Sequence, residues 1–289
     1  MTSRARLAVV GSLNVDIVAT AARLPQPGET IGDGVLRREP GGKGANQAAA
    51  AARLGARTRM LGCVGNDGDG DLLIGALESA GVDAAGVTKV DAPTGTAVIM
   101  VDAAGENSIV VCPGANAEVD AAALAIIDDE AVLLQLEVPF DVVRRVVAST
   151  PGFVAVNAAP AHPLPDDLVE RVDLFVVNES EYALMPELAR ARLVAVTLGA
   201  EGAELREHGT VIARASGVAP AAVRSTVGAG DAFTAAIVVA MLSEETPAAA
   251  LEIACRVGSA AVEHLSAQPP FGRLDDYRPE TPGLAVDRS

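Results

Sequence analysis

Residues 153–178 read FVAVNAAPAHPLPDDLVERVDLFVVN. Apolar runs stand at both ends of this stretch, at 153–157 and 174–178, and each is continuous rather than alternating. A continuous apolar strand is covered on both faces, as in a parallel sheet flanked by helices. Residues 166–171, between the two runs, are a helix candidate. The stretch therefore predicts a strand, a helix and a second, parallel strand in an α/β fold.

The same alternation continues in both directions along the chain. The other strand candidates are residues 6–11, 58–64, 131–136 and 193–198. The other helix candidates are residues 44–54, 69–80, 139–149, 229–242 and 247–264. This alternation predicts a doubly wound, mostly parallel sheet flanked by helices. In such a sheet ligands bind beyond the carboxyl ends of the strands.

Two segments, about 13–38 and 93–112, interrupt the alternation. Both are interpreted as strands joined by turns, with PQPG at 25–28 and DAAG at 102–105 as turn residues. Two β insertions that are distant in sequence can pair into a second sheet over the ligand site. We therefore predict that residues 1–289 form a single domain with a small β-sheet lid.

Composition narrows the class of partner. The formal net charge of −16 disfavours nucleic acids and anionic membrane surfaces. No run approaches the roughly 20 apolar residues of a membrane span, and we expect a cytoplasmic protein with small-molecule partners. The three cysteines, Cys63, Cys112 and Cys255, have no CxxC spacing and lie in apolar or small-residue stretches. They are predicted to be buried free thiols.

The sharpest chemical motif is STVGAGD at 225–231, which opens an apolar helix. Backbone N–H groups in a glycine-rich turn at a helix N-terminus can form an anion hole for a phosphoryl group. Asp231, in the first turn, is expected both to cap the helix and to take a proton from an attacking hydroxyl. By itself the motif does not separate this interpretation from an ordinary glycine-rich turn.

A second glycine-rich segment, GGKGAN at 41–46, opens another helix and is not a Walker A loop. Without its context, this segment is better interpreted as a tight turn with a solvated lysine. Polar groups also follow several predicted strands; they are Asn14, Asp16, Glu137, Asn178, Glu181 and residues 197–202. Each such group alone is more often a solvated loop residue or a helix cap. Carboxylates and amides that converge at one sheet edge, however, suit a polyhydroxyl ligand.

Taken in order, the motifs resemble the ribokinase-like carbohydrate kinases of the phosphofructokinase-B family, over about residues 6–272. The matching segments are GSLNVD at 11–16, PGET at 27–30, GGKGANQ at 41–47, GEN at 105–107, PGAN at 113–116, NAAPA at 157–161, Asn178 with Glu181, TLG at 197–199, GAGD at 228–231 and AQP at 267–269. The resemblance implies ATP-dependent phosphorylation of D-ribose at the 5-hydroxyl, with Mg²⁺, in a homodimer formed through the β lid.

The resemblance also implies a role for individual residues. Asp231 would be the catalytic base, and the anion hole would comprise Gly228, Ala229 and Gly230. The sugar would be bound by Asn14, Val15, Asp16, Gly42, Lys43, Gly44, Ala45, Asn46, Glu137 and Asp231. ATP would be bound by Asn178, Thr197, Leu198, Gly199, Ala200, Glu201, Gly202, Gly230, Asp231 and Cys255. Glu181 would place Mg²⁺ through water, and the backbone of Ser225 and Val227 would hold a monovalent cation.

Four departures from the family pattern bear on the cation and the nucleotide. Ser225 stands where the motif has Asp, and Pro270 stands where a cation-contacting Ser is usual. Cys255 replaces a His of the adenine pocket, and residues 178–197 are about one helix shorter. We therefore expect weak or no activation by K⁺ and a changed affinity for ATP.

Other functions fit parts of the same pattern. The scaffold also suits a kinase of another pentose or of a nucleoside, and a sugar sensor that has lost turnover. Retention of Asp231 argues against a sensor, since a pure binder needs no base there. A nicotinamide-dependent dehydrogenase lacks its phosphate-binding fingerprint.

Overall fold

The computed structural model describes residues 5–104, 107–128 and 130–279, so Gly105 and Glu106 of the GEN motif and both ends of the predicted domain lie outside it. The strands are β1 Arg6–Val10, β2 Asn14–Thr20, β3 Val35–Gly41, β4 Arg57–Gly65, β5 Asp83–Val90, β6 Gly95–Val101, β7 Asn107–Cys112, β8 Ala131–Gln135, β9 Val154–Asn157, β10 Leu174–Asn178, β11 Val194–Thr197, β12 Gly202–Glu207 and β13 Thr210–Ser216. The α-helices are α1 Lys43–Leu54, α2 Gly68–Ser79, α3 Phe140–Ser149, α4 Asp166–Arg171, α5 Glu179–Leu184, α6 Ala229–Leu242 and α7 Pro247–Ala261.

Nine strands form the main sheet, in the order β13-β12-β11-β10-β9-β8-β1-β4-β5. From β11 to β5 all neighbours are parallel, and β12 and β13 add an antiparallel hairpin at one edge. The order reverses at β1, which lies between β8 and β4. This reversal is the switch point at which open α/β sheets bind ligands. The predicted doubly wound, mostly parallel sheet is confirmed.

Helices cover both faces of the main sheet. Leu7 and Val9 of β1 pack in one core cluster, which includes apolar residues of α1, α6 and α7. Ala8 and Val10 pack in the opposite cluster with residues of α3 and α4. Successive strand residues point to opposite faces, so a strand buried on both sides needs an uninterrupted apolar run. This accounts for the continuous runs of the sequence.

A smaller sheet has the order β3-β2-β6-β7. It is made from the two segments that interrupt the alternation, and β2 and β6 pair in parallel with Asp16 opposite Ala97. Strand β3 continues to Gly41, three residues past the expected limit at Arg38, and pairs there with Asn14. Gly42, at φ 87°, then turns the chain directly into α1. The left-handed backbone of this turn favours glycine.

Other expectations need correction. Strands β5, β12 and β13 and helix α5 were not predicted, and α7 ends at Ala261 rather than at residue 264. The β12–β13 hairpin did leave a signal, because alternating residues flank a turn with positive φ at His208 and Gly209. Cys63 and Cys255 are buried free thiols, but Cys112 is exposed. Its apolar run belongs to an edge strand of the smaller sheet, which the layered core does not cover.

Within the described residues, no helix combines the length and apolar character that a bilayer crossing requires.

Candidate active site

A cleft of about 410 Å³ opens at the carboxyl end of the main sheet, beneath the smaller sheet. The start of α1, the start of α6 and the ends of β9 to β11 contribute to its wall. The predicted residues that line it are Asn14, Asp16, Gly42, Lys43, Asn46, Glu137, Asn178, Glu181, Thr197, Val227, Gly228, Gly230 and Asp231. Residues from six separate parts of the sequence thus meet at the switch point.

Asp231 lies at the base of this cleft with 9% of its surface exposed. Its Oδ2 accepts a hydrogen bond from Asn46 Nδ2 at 2.9 Å, and its Oδ1 accepts one from Gln47 Nε2 at 2.8 Å. Burial raises the pKa of the carboxyl group, while Lys43, Gln47 and Asn46 act to lower it. The expectation that Asp231 caps its helix is wrong: the N-cap of α6 is Gly228, without a side-chain cap.

The turn before α6 is built around Gly228, whose φ is 80°. A Cβ at this position would lie 2.5 Å from the carbonyl oxygen of Ala267, so the approach of the two backbones excludes a side chain. Of the three predicted anion-hole residues, Ala229 directs its N–H to Thr226 O at 3.4 Å. The first N–H groups of a helix have no partner within the helix. The backbone N–H groups of Gly230 and Asp231 are therefore the ones that can bind an anion.

Carboxylates and one lysine line the same cleft as Asp231. Glu137 Oε2 accepts hydrogen bonds from Ser12 Oγ at 2.5 Å and from the backbone N–H of Lys43 at 3.2 Å. Lys43 Nζ lies 3.9 Å from Glu137 Oε1. Burial acts to lower the pKa of Lys43, but Asp231, Glu137, Glu181 and Asp16 together raise it. Lys43 is thus a charged ammonium group within the cleft.

Asp16 is 7% exposed and stands on β2 facing the cleft. Burial raises its pKa to about 7, with further contributions from Glu39, Glu137 and Asp231. Beside it, Asn14 Oδ1 accepts a hydrogen bond from Asn116 Nδ2 at 2.8 Å. The amide of Asn116 thereby fixes the orientation of the Asn14 side chain.

Three predicted sugar-binding residues lie behind the wall of the cleft. Val15 points to the opposite face of β2 from Asn14 and Asp16 and is buried in the core. Gly44 packs so closely on Ser12 that a Cβ would lie 2.6 Å from its backbone nitrogen. Ala45 donates its N–H to Ser12 O at 2.9 Å. These residues support the loop rather than line the cleft.

A second cleft, of about 600 Å³, lies on the other side of the turn before α6. Its predicted residues are Thr197, Gly199, Ala200, Gly202, Ala229, Gly230 and Cys255. Leu198 and Glu201 do not line it, and Asn178 lines the first cleft instead. Thr197, Thr226 and Gly230 line both clefts, so the two spaces meet at this turn.

Most of the second wall is apolar and was not predicted. Its apolar members include Val218, Pro220, Val223, Phe233 and Val262. Such residues carry no chemical pattern, so nothing in the sequence distinguishes them from core positions. Burial raises the pKa of the Cys255 thiol to about 11, which keeps it neutral near pH 7.

Glu181 and Asn178 form a reciprocal cap at the start of α5. Asn178 Oδ1 accepts from Glu181 N, and Glu181 Oε2 accepts from Asn178 N, each at 2.8 Å. The cap holds both side chains at the edge of the first cleft.

The two residues predicted to hold a monovalent cation, Ser225 and Val227, are close to each other. Ser225 Oγ accepts a hydrogen bond from Val227 N at 3.2 Å.

Comparison with known proteins points to one family. The sequence profile described as pfkB family carbohydrate kinase matches residues 4–272. A ribokinase of Bacillus subtilis is 35% identical over 279 residues, covering 91% of this chain and 94% of the relative.

Two solved structures extend the comparison to the fold. A ribokinase of Arabidopsis thaliana complexed with ribose and ATP superposes with a TM-score of 0.85 at 31% identity, covering 95% of this chain and 98% of the other. A ribokinase of Cryptococcus neoformans in complex with ADP gives a TM-score of 0.83 at 28% identity, covering 94% and 98%.

Proposed function

This chain belongs to the pfkB family of carbohydrate kinases, and we propose that it transfers the γ-phosphoryl group of ATP to the 5-hydroxyl of D-ribose, giving ribose 5-phosphate and ADP. The observation that carries the proposal is the meeting of two clefts at the turn before α6. One cleft has a mixed polar and apolar lining and holds Asp231, and the other is largely apolar. The likeness to a ribokinase complexed with ribose and ATP supports the choice of both substrates.

The second cleft suits the nucleotide. Its apolar wall, with Val223, Phe233 and Val262, can bury an adenine ring. Phosphates that extend from it toward Gly230 would reach the positive end of the α6 dipole. Phosphoryl transfer depends chiefly on positioning and on electrostatic stabilisation of the transferring group. The N–H groups at the start of α6 and the ammonium group of Lys43 supply both.

The first cleft suits the sugar. Asn14, Asp16, Asn46 and Glu137 present hydrogen-bonding groups for several hydroxyls, and Asp231 lies where the first cleft adjoins the turn. Asp231 takes the proton of the 5-hydroxyl while the oxygen of that hydroxyl forms a bond to the γ-phosphorus. The bond from that phosphorus to the β,γ-bridging oxygen breaks, and ADP leaves.

Kinases use Mg²⁺ with the phosphates of ATP, and this ion keeps several waters and needs only one or two carboxylates. Glu181 fits this requirement, because its cap with Asn178 holds a carboxylate at the edge of the cleft. Bound there, Mg²⁺ would neutralise phosphate charge. Glu181 would orient a water of the ion.

The test is ADP release by the purified chain with a panel of pentoses, 2-deoxyribose, hexoses and nucleosides. We expect the highest kcat/KM with D-ribose and phosphate on its 5-oxygen. If kcat/KM is higher with a nucleoside or another pentose, that compound and not D-ribose is the substrate. Tight ribose binding without ADP release would favour a sugar sensor instead.

We also propose that the smaller sheet acts as a lid and joins two copies of the chain. Val35, Ile109 and Val111 are at least half exposed, and the strand register places them on the sheet face that bears Asp16. Ile109 and Val111 also line the first cleft. Exposed apolar side chains on a sheet face that borders a ligand cleft indicate a surface that is covered in the working protein.

A further inference from the structure

A row of buried side-chain amides leads away from the proposed catalytic base. Gln47 and Gln135 have no exposed surface, and Asn157 is 8% exposed. Gln47 and Gln135 do not line either cleft, so the proposed chemistry gives them no contact with substrate. Burying an amide is costly unless its hydrogen bonds are made. Their placement beside Asp231 therefore needs a reason.

The hydrogen bonds of this row have a fixed direction. Asn157 Nδ2 donates to the backbone carbonyl of Val176 at 2.9 Å, and a backbone carbonyl can only accept. The Oδ1 atom of Asn157 must then face Gln47, whose Nε2 donates to it at 3.0 Å. The same Nε2 donates to Asp231 Oδ1 at 2.8 Å.

Gln135 secures the other end of the Gln47 amide. Its Nε2 donates to Gln47 Oε1 at 2.6 Å, so a reversed Gln47 amide would lose this bond and set an oxygen against Asp231. Room for Gln135 comes from Gly11, where a Cβ would lie 1.9 Å from Gln135 Oε1. The backbone carbonyl of Val176, acting through Asn157, thus determines which end of the Gln47 amide meets the carboxylate.

We propose that Gln47 is a positioning residue for phosphoryl transfer: held by Asn157 and Gln135, it fixes the Asp231 carboxylate in the orientation that accepts the proton of the sugar hydroxyl. This inference rests on the proposed function. It differs from the role of Asn46, which binds Oδ2 of Asp231 and also lines the cleft. Loss of Gln47 should therefore affect kcat more than the KM for sugar.

The pH dependence of kcat, which reports the ionisation of Asp231, provides a readout that is specific to this positioning role. The charged and titratable groups that face Asp231 are Lys43, Glu137 and Asp16. None of them is removed when Gln47 is replaced. A donor to the carboxylate favours its ionised form, so its loss makes Asp231 harder to ionise. The acidic limb of the pH profile of kcat should then move to higher pH.

The test compares Gln47→Met and Gln47→Glu with the natural chain, by kcat and KM from about pH 6 to about pH 9. For Gln47→Met we expect kcat to fall about 10- to 100-fold with the KM for ribose within about threefold. The acidic limb should move upward, and further in Gln47→Glu because a second carboxylate then faces Asp231. The control is Thr58→Val, which removes a buried hydroxyl that has no hydrogen-bond partner among the described residues and lies outside this row. Its kcat and pH profile should not change.

An unmoved acidic limb in Gln47→Met, whatever its kcat, overturns the proposal. If Gln47→Met does not fold, Gln135→Met is used, since Gln135 reaches Asp231 only through Gln47. It should shift the limb in the same direction by less, and an unshifted limb again overturns the proposal. If the natural chain phosphorylates no sugar, the proposed function and this inference both fail. If it is active and only the limb stays in place, the inference alone fails.

Discussion

Asp231 combines two requirements that oppose each other at the scale of a single residue. A base that takes a proton from a hydroxyl must be ionised, yet its burial disfavours the charge. Hydrogen bonds from Asn46 and Gln47 and the field of Lys43 offset only part of that effect, and the pKa of Asp231 stays raised. The result is a carboxylate held in place with little water around it.

For the Asp231→Asn variant we expect loss of phosphorylation with ribose affinity within a few fold. The amide keeps the shape of the side chain but cannot take the proton, and a general base contributes about 10²- to 10⁴-fold. ADP release and titration calorimetry with ribose measure the two quantities. Retention of most of the activity would contradict the assignment of the base.

Asp16 should make sugar binding depend on pH. Its pKa of about 7 means that it accepts hydroxyl hydrogen bonds as a carboxylate mainly above neutral pH. Charge-assisted bonds are the stronger ones, so ribose should bind about three- to tenfold more tightly at pH 8 than at pH 6. Calorimetry at both values checks this. In Asp16→Asn the dependence should disappear, and its persistence would assign it to another group, such as Asp231.

The same residue should lower stability as the pH rises. Because the pKa of Asp16 is higher in the folded chain than in the unfolded one, folding takes up a proton between about pH 4 and about pH 7. That contribution is lost as the pH rises through about 7. Asp16→Asn should therefore raise the Tm relative to the natural chain at pH 8 and change it less at pH 5. Equal changes in Tm at the two pH values would rule out this linkage.

At the scale of the element, the first turn of α6 determines how a phosphate can approach. Gly228 has a positive φ and packs against Ala267. A Cβ on Gly230, apart from its own turn of helix, would meet no atom of the described residues within 4 Å. The two glycines are only two residues apart. Gly228 is needed for the backbone conformation of the turn, whereas Gly230 leaves space in the clefts.

This difference predicts opposite behaviour for two alanine variants. Gly228→Ala should lose more than about 1 kcal/mol of stability, since alanine is strained at this φ. Gly230→Ala should keep its Tm but raise the KM for ATP or lower kcat. Gly230 lines both clefts, so the added methyl group would occupy space where they meet. Thermal denaturation and steady-state kinetics separate them. A similar loss of Tm in both variants would contradict the distinction.

The turn also bears on activation by potassium. The Ser225 hydroxyl accepts a hydrogen bond from Val227 N, so a local bond already orders this part of the turn. A site of neutral oxygens holds a cation more weakly than one with a carboxylate. We expect little activation by K⁺ in a kinase assay that titrates KCl against choline chloride. Ser225→Asp should increase the response. Strong, saturable activation of the natural chain would show that Ser225 does not weaken the site.

At the scale of the whole molecule, the chain should form a dimer through the smaller sheet. Ile109 and Val110 are neighbours on β7 with 52% and 60% exposure, but they point to opposite faces. Ile109→Lys should dissociate the dimer in sedimentation velocity, because it places a charge on the face that bears Asp16. Val110→Lys is the matched control and should remain dimeric. A natural chain that sediments at its monomer mass of 29.2 kDa would refute the proposal.

The sequence by itself determined the layered fold and most of the residues around the first cleft. Continuous apolar runs such as those of β9 and β10 indicate strands that are buried on both faces. This is a local property that can be recognised from the residues of the strand alone. The motifs at 41–47 and 225–231 likewise identified the two helix starts that meet in the cleft. Edge strands left weaker traces, and β5 was missed because its residues are largely exposed or only partly buried.

Only the tertiary structure decided how those residues work together. It showed that Gln47 lies against Asp231, 184 positions away, that Val15 and Gly44 support the loop from behind, and that the apolar cleft adjoins the same turn as the polar one. The physical reason is that a local pattern reports the period and burial of one element, whereas a hydrogen bond between α1 and α6 depends on how the helices pack. That packing is set by the whole core at once.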